Sequence, residues 1–321
     1  VTGAAGFIGS HVAHRLLARG EDVIGLDNLN SYYDPELKRA RLKPLEAHPR
    51  FTMVRGDLAD APTLKPLRQD GQIDRIVHLA AQAGVRFSLE NPRSYAESNL
   101  VGHTEILELA RHLQVKHLVY ASSSSVYGSN SSIPFKETDS TDHPISFYGA
   151  SKKACEVLSA SYAHLFKIPQ TGLRFFTVYG PWGRPDMAYM IFAKNILAGQ
   201  PINVFGEGQM ARDFTYIDDV VDGVVASLDR PPALGDQDAA PHVLYNLGND
   251  QPEELGVFID HMEKLLQRPA VRHLKPMQPG DVRRTWANID AAKKDLGYQP
   301  KVPLAEGLKR FVAWYTDYTK A

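Results

Sequence analysis

The sequence predicts an α/β fold: a doubly wound parallel sheet with a smaller C-terminal region. Three observations carry that expectation. Short apolar runs alternate with helical patterns through the first half, a glycine-rich turn joins the first strand to the first helix, and the alternation loosens after about residue 176.

The apolar runs cover 22–27, 51–54, 75–79, 117–120 and 171–175. They are nearly continuous in Val, Ile, Leu and aromatic residues, as strands buried on both faces require. Ile8, Val12, Leu16 and Leu17 repeat at helical spacing, and a second helix is expected from Asn99 through Ile106, Leu107 and Ala110. These elements assign residues 1–175 to the doubly wound sheet. Residues 176–321 form the smaller region, which opens with the Pro- and Gly-rich stretch Gly180–Pro185, although Arg212–Leu228 could return to the first sheet. Residues 230–241 read as an exposed loop. The tail from Pro252 reads as mostly helical and ends in an amphipathic helix over 304–318.

Composition excludes several function classes. A net charge of −1 gives no electrostatic footprint for nucleic acid. No apolar run approaches the ~18–20 residues that span a bilayer. The single cysteine, Cys155, excludes an internal disulfide and a metal site built on several thiolates, and it fits a reducing compartment such as the cytoplasm.

The segment Gly3-Ala-Ala-Gly6-Phe7-Ile8-Gly9 follows strand-like residues and opens a helix. Glycines there permit a tight turn and close approach of backbone to a pyrophosphate, and the helix N-terminus adds free N–H groups and a favourable dipole. This is a Rossmann-type dinucleotide signature. Asp27 ends the next strand, where an acid bonds the adenosine ribose and repels a 2′-phosphate, so NAD is expected rather than NADP. Asn28, Asp57, Leu58, Leu79, Ala80 and Ala81 lie at the carboxyl ends of strands, the edge where such sheets bind ligands. Asp57 is a candidate for the adenine amino group, the alanines let a dinucleotide pass closely, and Asn99 is a weaker candidate.

Tyr148 and Lys152 are four residues apart, on one face of a helix. A phenol is a poor base at neutral pH, and a neighbouring ammonium together with a positive nicotinamide ring makes it usable as an acid/base. Upstream, the run Ser122–Ser125 follows a buried strand and offers hydroxyl donors to a substrate oxygen.

In order and spacing, Gly3, Gly6, Gly9, Ser123, Tyr148 and Lys152 resemble the extended short-chain dehydrogenase/reductases, NAD-dependent epimerases and dehydratases that act on nucleotide sugars. The similarity covers essentially the whole chain. It implies that Tyr148 is the acid/base, Lys152 its activator and NAD anchor, and Ser123 the hydroxyl-binding partner. Family members that dehydrate the sugar carry Asp-Glu where this chain has Ser124 and Ser125, and the decarboxylases carry Glu beside the following Val. Two serines therefore favour epimerisation, which needs only hydride removal, rotation of the ketone and hydride return. The segments 174–187, with Thr177 and Arg184, and 27–41 resemble the UDP-glucuronate 4-epimerases within the family, which implies interconversion of UDP-glucuronate and UDP-galacturonate. A neutral UDP-hexose epimerase, a UDP-glucuronate decarboxylase and a non-catalytic NAD-binding regulator are the alternatives.

The resemblance further implies that Arg212 contacts the UDP diphosphate, that Asn203 and Phe205 lie along the uracil, and that Asp281 faces the uridine ribose. Some relatives carry Arg at the position of Gln278 for the phosphates, which leaves open whether Arg283 takes that task. Arg184 is expected to pair with the substrate carboxylate or to order its loop, and packing is the preferred role of the Tyr-rich segment 31–34. A homodimer is expected through helices containing Tyr95–Leu113 and Ser146–Phe166, with Leu100, His103, Leu107 and Ala110 as one face and Val157, Ser161 and Leu165 as the other.

Overall fold

The computed structural model describes residues 1–70, 72–234 and 239–320. Residues 235–238 of the expected loop 230–241 lie outside them. The glycine turn leads into helix α1 (Phe7–Ala18), whose Val12, Ala13, Leu16 and Leu17 are buried at helical spacing. Strand β1 (Val23–Asp27), α2 (Pro35–Glu46), β2 (Phe51–Arg55), α3 (Ala61–Asp70) and β3 (Arg75–His78) follow. After two single-turn helices, α4 (Phe87–Glu90) and α5 (Pro92–Tyr95), the backbone makes a π-helical turn over Ala96–Val101 and continues as α6 (Gly102–Leu113). Then come β4 (His117–Ser123), α7 (Phe147–Phe166) and β5 (Gln170–Phe175).

Strands β3, β4 and β5 are parallel neighbours, and β1 pairs with β2 in parallel. Thr2 bridges Leu26 on one side and His78 on the other, which joins the two groups into one sheet. The sheet is covered on both faces. Leu58, Leu64, Ile106 and Leu118 belong to one apolar layer, while Val12, Leu16, Val119 and Leu173 belong to the larger core. Central strand β5 is buried at every position, as two-sided coverage demands.

The second half continues with β6 (Thr177–Tyr179), α8 (Ala188–Leu197), β7 (Ile202–Phe205), β8 (Ala211–Tyr216) and α9 (Ile217–Asp229). Strands β9 (His242–Leu247) and β10 (Pro252–Glu254), helix α10 (Leu255–Leu266), β11 (Arg272–Lys275), α11 (Asp290–Leu296) and α12 (Leu304–Tyr318) complete it. The segment Arg212–Leu228 divides its allegiance. Strand β8 lies between β10 and β6 in a separate small sheet, whereas α9 packs on α1. Strand β9 crosses back and pairs in parallel with β5. Strands β7 and β11 form a two-stranded parallel sheet. The tail is less helical than its pattern predicts, because β10, β11 and the irregular stretch 276–289 interrupt it. Helix α12 has the expected span and buries Leu308 and Phe311 completely.

Candidate active site

The carboxyl edge of the sheet opens into a cleft that gathers residues from both halves of the chain. Gly3, Gly6, Phe7, Ile8 and Gly9 form its floor, and Asp27, Asn28, Asp57 and Leu58 form one end. Leu79, Ala80 and Ala81 form its side wall, and Ser123, Tyr148, Lys152 and Arg184 form the other end. Asn99, Ser124, Ser125 and Thr177 lie outside this lining. Asn203, Phe205, Arg212, Asp281 and Arg283 also lie outside it, on β7, at the start of β8 and in the 276–289 stretch.

The dinucleotide end fits its expected occupant. Helix α1 has no side-chain cap at Gly6, so its first-turn N–H groups remain available to an anion. Gly3 has φ +69°, and a Cβ there would meet the Ala80 backbone nitrogen at 2.8 Å. Asp27 is buried and accepts from the N–H groups of Ala5 at 3.0 Å and Leu29 at 2.8 Å. Its carboxylate is thereby fixed before any ribose arrives. Asp57 accepts from the Asn28 side chain at 2.8 Å and the Ala59 N–H at 2.9 Å.

At the other end, β4 runs three residues beyond its expected stop and delivers Ser122 and Ser123 to the cleft. The Ser123 hydroxyl accepts from the Ser125 N–H at 3.2 Å, capping the short 3₁₀ turn Ser124–Tyr127. Helix α7 is capped by Ser146, whose hydroxyl accepts from the Gly149 N–H at 3.0 Å. It presents Tyr148 and, one turn later, Lys152 to the same cleft. The Lys152 ammonium donates to the Ala121 carbonyl at 3.1 Å. One further turn along, Glu156 is buried in a fork with Arg174 at 2.8 and 2.9 Å and accepts from Ser122 at 2.6 Å. This pair ties the catalytic helix to the serine strand.

Asn99 is almost fully buried beneath the cleft. Its amide clasps the backbone of Gln82 at 2.8 and 3.0 Å and donates to Ser151 at 2.9 Å, which in turn donates to the Tyr148 carbonyl. It braces residues that line the cleft. The π-helical turn that carries it inserts an extra residue into the helix, a local feature that apolar periodicity does not reveal.

Arg184 is not a free surface arginine. Its guanidinium forks onto Asp186 at 3.0 and 2.7 Å, and the Tyr32 hydroxyl donates to the same carboxylate at 3.2 Å. Burial works against the charge on Asp186, and the Arg184 guanidinium outweighs it, so its carboxyl lies below the usual value. Burial, reinforced by Asp186, pushes the Tyr32 phenol up to about 12. The Tyr-rich segment therefore does more than pack: it bonds to the 180–187 loop across the cleft. Arg41 adds a second strap from the Ala5 carbonyl to those of Trp182 and Gly183 at 2.7–3.0 Å.

Sequence reasoning missed Tyr32, Lys38 and Gln82, which all line the cleft. Gln82 is buried, with its backbone N–H and carbonyl held by the Asn99 amide. Its place just after Ala80-Ala81, at a strand's carboxyl end, is the signal that could have found it. Of the two expected dimer faces, His103, Leu107 and Ala110 are core residues, because α6 turns that face onto the sheet. Val157 and Leu165 are exposed at 56% and 64%. Among the described residues no helix is long and apolar enough to cross a membrane, and no group of three or more His, Cys, Asp or Glu could hold a metal ion.

The chain matches the sequence profile of the NAD-dependent epimerase/dehydratase family over residues 1–248. A probable UDP-glucuronate 4-epimerase of Rhizobium meliloti is 47% identical, with 100% of this chain and 98% of that protein covered. UDP-glucuronate 4-epimerase 1 of Arabidopsis thaliana is 49% identical over 99% of this chain and 76% of its own. The crystal structure of UDP-glucuronic acid 4-epimerase from Bacillus cereus, in complex with UDP-glucuronic acid and NAD, superposes with a TM-score of 0.87. It is 34% identical and covers 99% of this chain and 98% of its own.

Proposed function

This chain belongs to the NAD-dependent epimerase/dehydratase family, and on that premise we infer that it interconverts UDP-glucuronate and UDP-galacturonate by inverting C4 of the sugar. One observation carries the reading. Ser123, Tyr148 and Lys152 face the cleft that holds the glycine turn, while the next two positions carry serines in place of the carboxylates that elimination would need.

The glycine turn, Asp27 and Lys152 would hold NAD, which when bound supplies the acceptor and donor of the C4 hydride. Tyr148 takes the proton from the sugar 4-hydroxyl and, after the ketone has turned and its C4 has regained hydride on the opposite face, returns a proton to the 4-oxygen. Lys152, one helical turn from Tyr148 and held by the Ala121 carbonyl, is the proposed activator of the phenol. Ser123 donates to the 4-oxygen. The 4-keto uronate is a β-keto acid and loses carbon dioxide when its C5–carboxylate bond aligns with the ketone π system. Ser124, Ser125 and Thr177 do not line the cleft themselves but adjoin Ser123, Phe176 and Val178, which do. Their hydroxyls are the proposed groups that hold the carboxylate out of that alignment, with Arg184 ordering the loop around it. Residues 1–175 hold the dinucleotide and 176–321 the UDP-sugar, with Asn203 and Phe205 toward the uracil, Arg212 or Arg283 toward the diphosphate, and Asp281 toward the ribose.

A cytoplasmic homodimer completes the proposal. The apolar exposure of Val157 and Leu165 on α7 supports the dimer, and a monomeric mass in light scattering would remove it. The buried lone thiol of Cys155 supports a reducing compartment. The test of function is incubation with UDP-glucuronate followed by NMR of the anomeric protons. UDP-galacturonate is expected, and UDP-xylose or a UDP-pentulose as main product would favour decarboxylation.

A further inference from the structure

The chain has glutamine at position 278, where some relatives place a second phosphate-binding arginine beside the one corresponding to Arg212. A guanidinium nevertheless reaches that neighbourhood from the other half of the molecule. Arg86, in the segment between β3 and α4, donates to Asp281 at 3.3 Å and lies 4.6 Å from the centroid of the Phe205 ring. It therefore touches both the aromatic ring expected along the uracil and the carboxylate expected at the ribose. The approach is fixed by the backbone. Gly280, at φ +81°, passes so near Val85 that a Cβ on it would come within 2.9 Å of the valine side chain.

Charge supports the same reading. Burial lowers the pKa of the Arg212 guanidinium, Asp281 opposes it, and the nearby charge of Arg86 adds a smaller lowering. The three groups thus share one electrostatic environment. Arg212 and Asp281 alone sum to zero, which is a poor match for a diphosphate. With Arg86 the cluster carries a net charge of one positive unit. Arg212 already donates one Nη1 to the carbonyls of Ala211 and Arg283 at 2.9 and 3.1 Å, so a second guanidinium is needed to engage phosphate oxygens from another direction. In the same loop, the buried Gln278 Oε1 has no hydrogen-bond partner. That acceptor suits a nucleoside N–H or hydroxyl better than a phosphate.

We propose that Arg86 is the second guanidinium of the diphosphate site, acting opposite Arg212 in place of an arginine at position 278, while Gln278 serves the nucleoside. This rests on the reading of the cleft as a UDP-sugar site, and it names a residue from the dinucleotide-binding half that fixes the position of the substrate. The Arg86 side chain is half exposed, so Arg86→Ala deletes a charge beside Asp281 and Phe205 without emptying the core.

The test is calorimetric titration of the NAD-loaded protein with UDP, using wild type, Arg86→Ala, Arg86→Lys and Arg283→Ala. We expect Arg86→Ala to weaken UDP binding by about 10–100-fold, in line with loss of a charge-assisted hydrogen bond worth about 1.5–3 kcal/mol. Arg86→Lys should recover part of the loss, and bound NAD and the melting temperature should be unchanged. A UDP affinity for Arg86→Ala within threefold of wild type overturns the proposal, as does a larger loss for Arg283→Ala. A wild type that binds UDP through Arg86 yet epimerises no UDP-sugar would sink the functional reading and leave this site standing.

Discussion

Arg184→Ala removes the cation of the Arg184–Asp186 fork and leaves the carboxylate behind. In the intact protein the two charges cancel, and the fork is only 23% and 32% exposed. In the variant, Asp186 keeps the Tyr32 hydroxyl as a partner but has no counter-charge. A uronate bound near it then meets an unbalanced negative charge. At a separation of about 6 Å and an effective dielectric of about 20, the repulsion is roughly 3 kcal/mol, or about a hundredfold in affinity. A neutral hexose does not feel this term. Calorimetry should therefore show UDP-glucuronate weakening by about a hundredfold and UDP-glucose by much less. The double variant Arg184→Ala/Asp186→Ala, which deletes both charges, should regain at least tenfold for UDP-glucuronate. Turnovers of the single variant should also divert in part to a UDP-4-keto-pentose with NADH, visible by NMR and by absorbance. Equal losses on both sugars, or a double variant no better than the single one, would refute the argument that the fork governs the carboxylate.

Three further outcomes are expected. Tyr148→Phe should lower turnover by about 10²–10⁴-fold, the usual contribution of a general acid–base group, while NAD released on denaturation stays at the wild-type amount; near-normal turnover would remove Tyr148 from the mechanism. NADP should bind far more weakly than NAD, because Asp27 is pinned by two backbone N–H groups and cannot swing from a 2′-phosphate; comparable affinities by calorimetry would contradict this. Glu156→Ala should cost about 3–5 kcal/mol in urea unfolding, because it strands the buried Arg174, only 2% exposed, without its partner; a loss below about 1 kcal/mol would mean that the pair does not hold the serine strand to the catalytic helix.

The first half of the fold was legible because its strands are apolar on both faces. The run 171–175 maps onto β5, and Ile8, Val12 and Leu16 onto α1. The tail was less so. Arg272–Lys275 is a fully exposed strand with no apolar signature, held by pairing with β7. Local spacing put Tyr148 and Lys152 on one helix face and the glycine turn at a strand end, since each is a short-range object. Only the family resemblance implied that they share a site, and the fold brings them into one cleft. What the sequence could not reveal were partnerships between distant segments. Tyr32 bonds to Asp186 across 154 positions, and Arg86 to Asp281 across 195. Periodicity likewise could not decide which side of α6 is buried. His103, Leu107 and Ala110 form an apolar face on either reading, and only packing shows that it belongs to the core.

The central claim is that C4 is inverted by removal and return of its own hydride within one closed site. UDP-glucuronate carrying deuterium at C4 tests it most directly. Incubation in ordinary water, followed by mass spectrometry and NMR of the product, should give UDP-galacturonate that keeps deuterium at C4. Loss of the label to solvent, or UDP-galacturonate failing to form while UDP-glucose is epimerised briskly, would contradict the account.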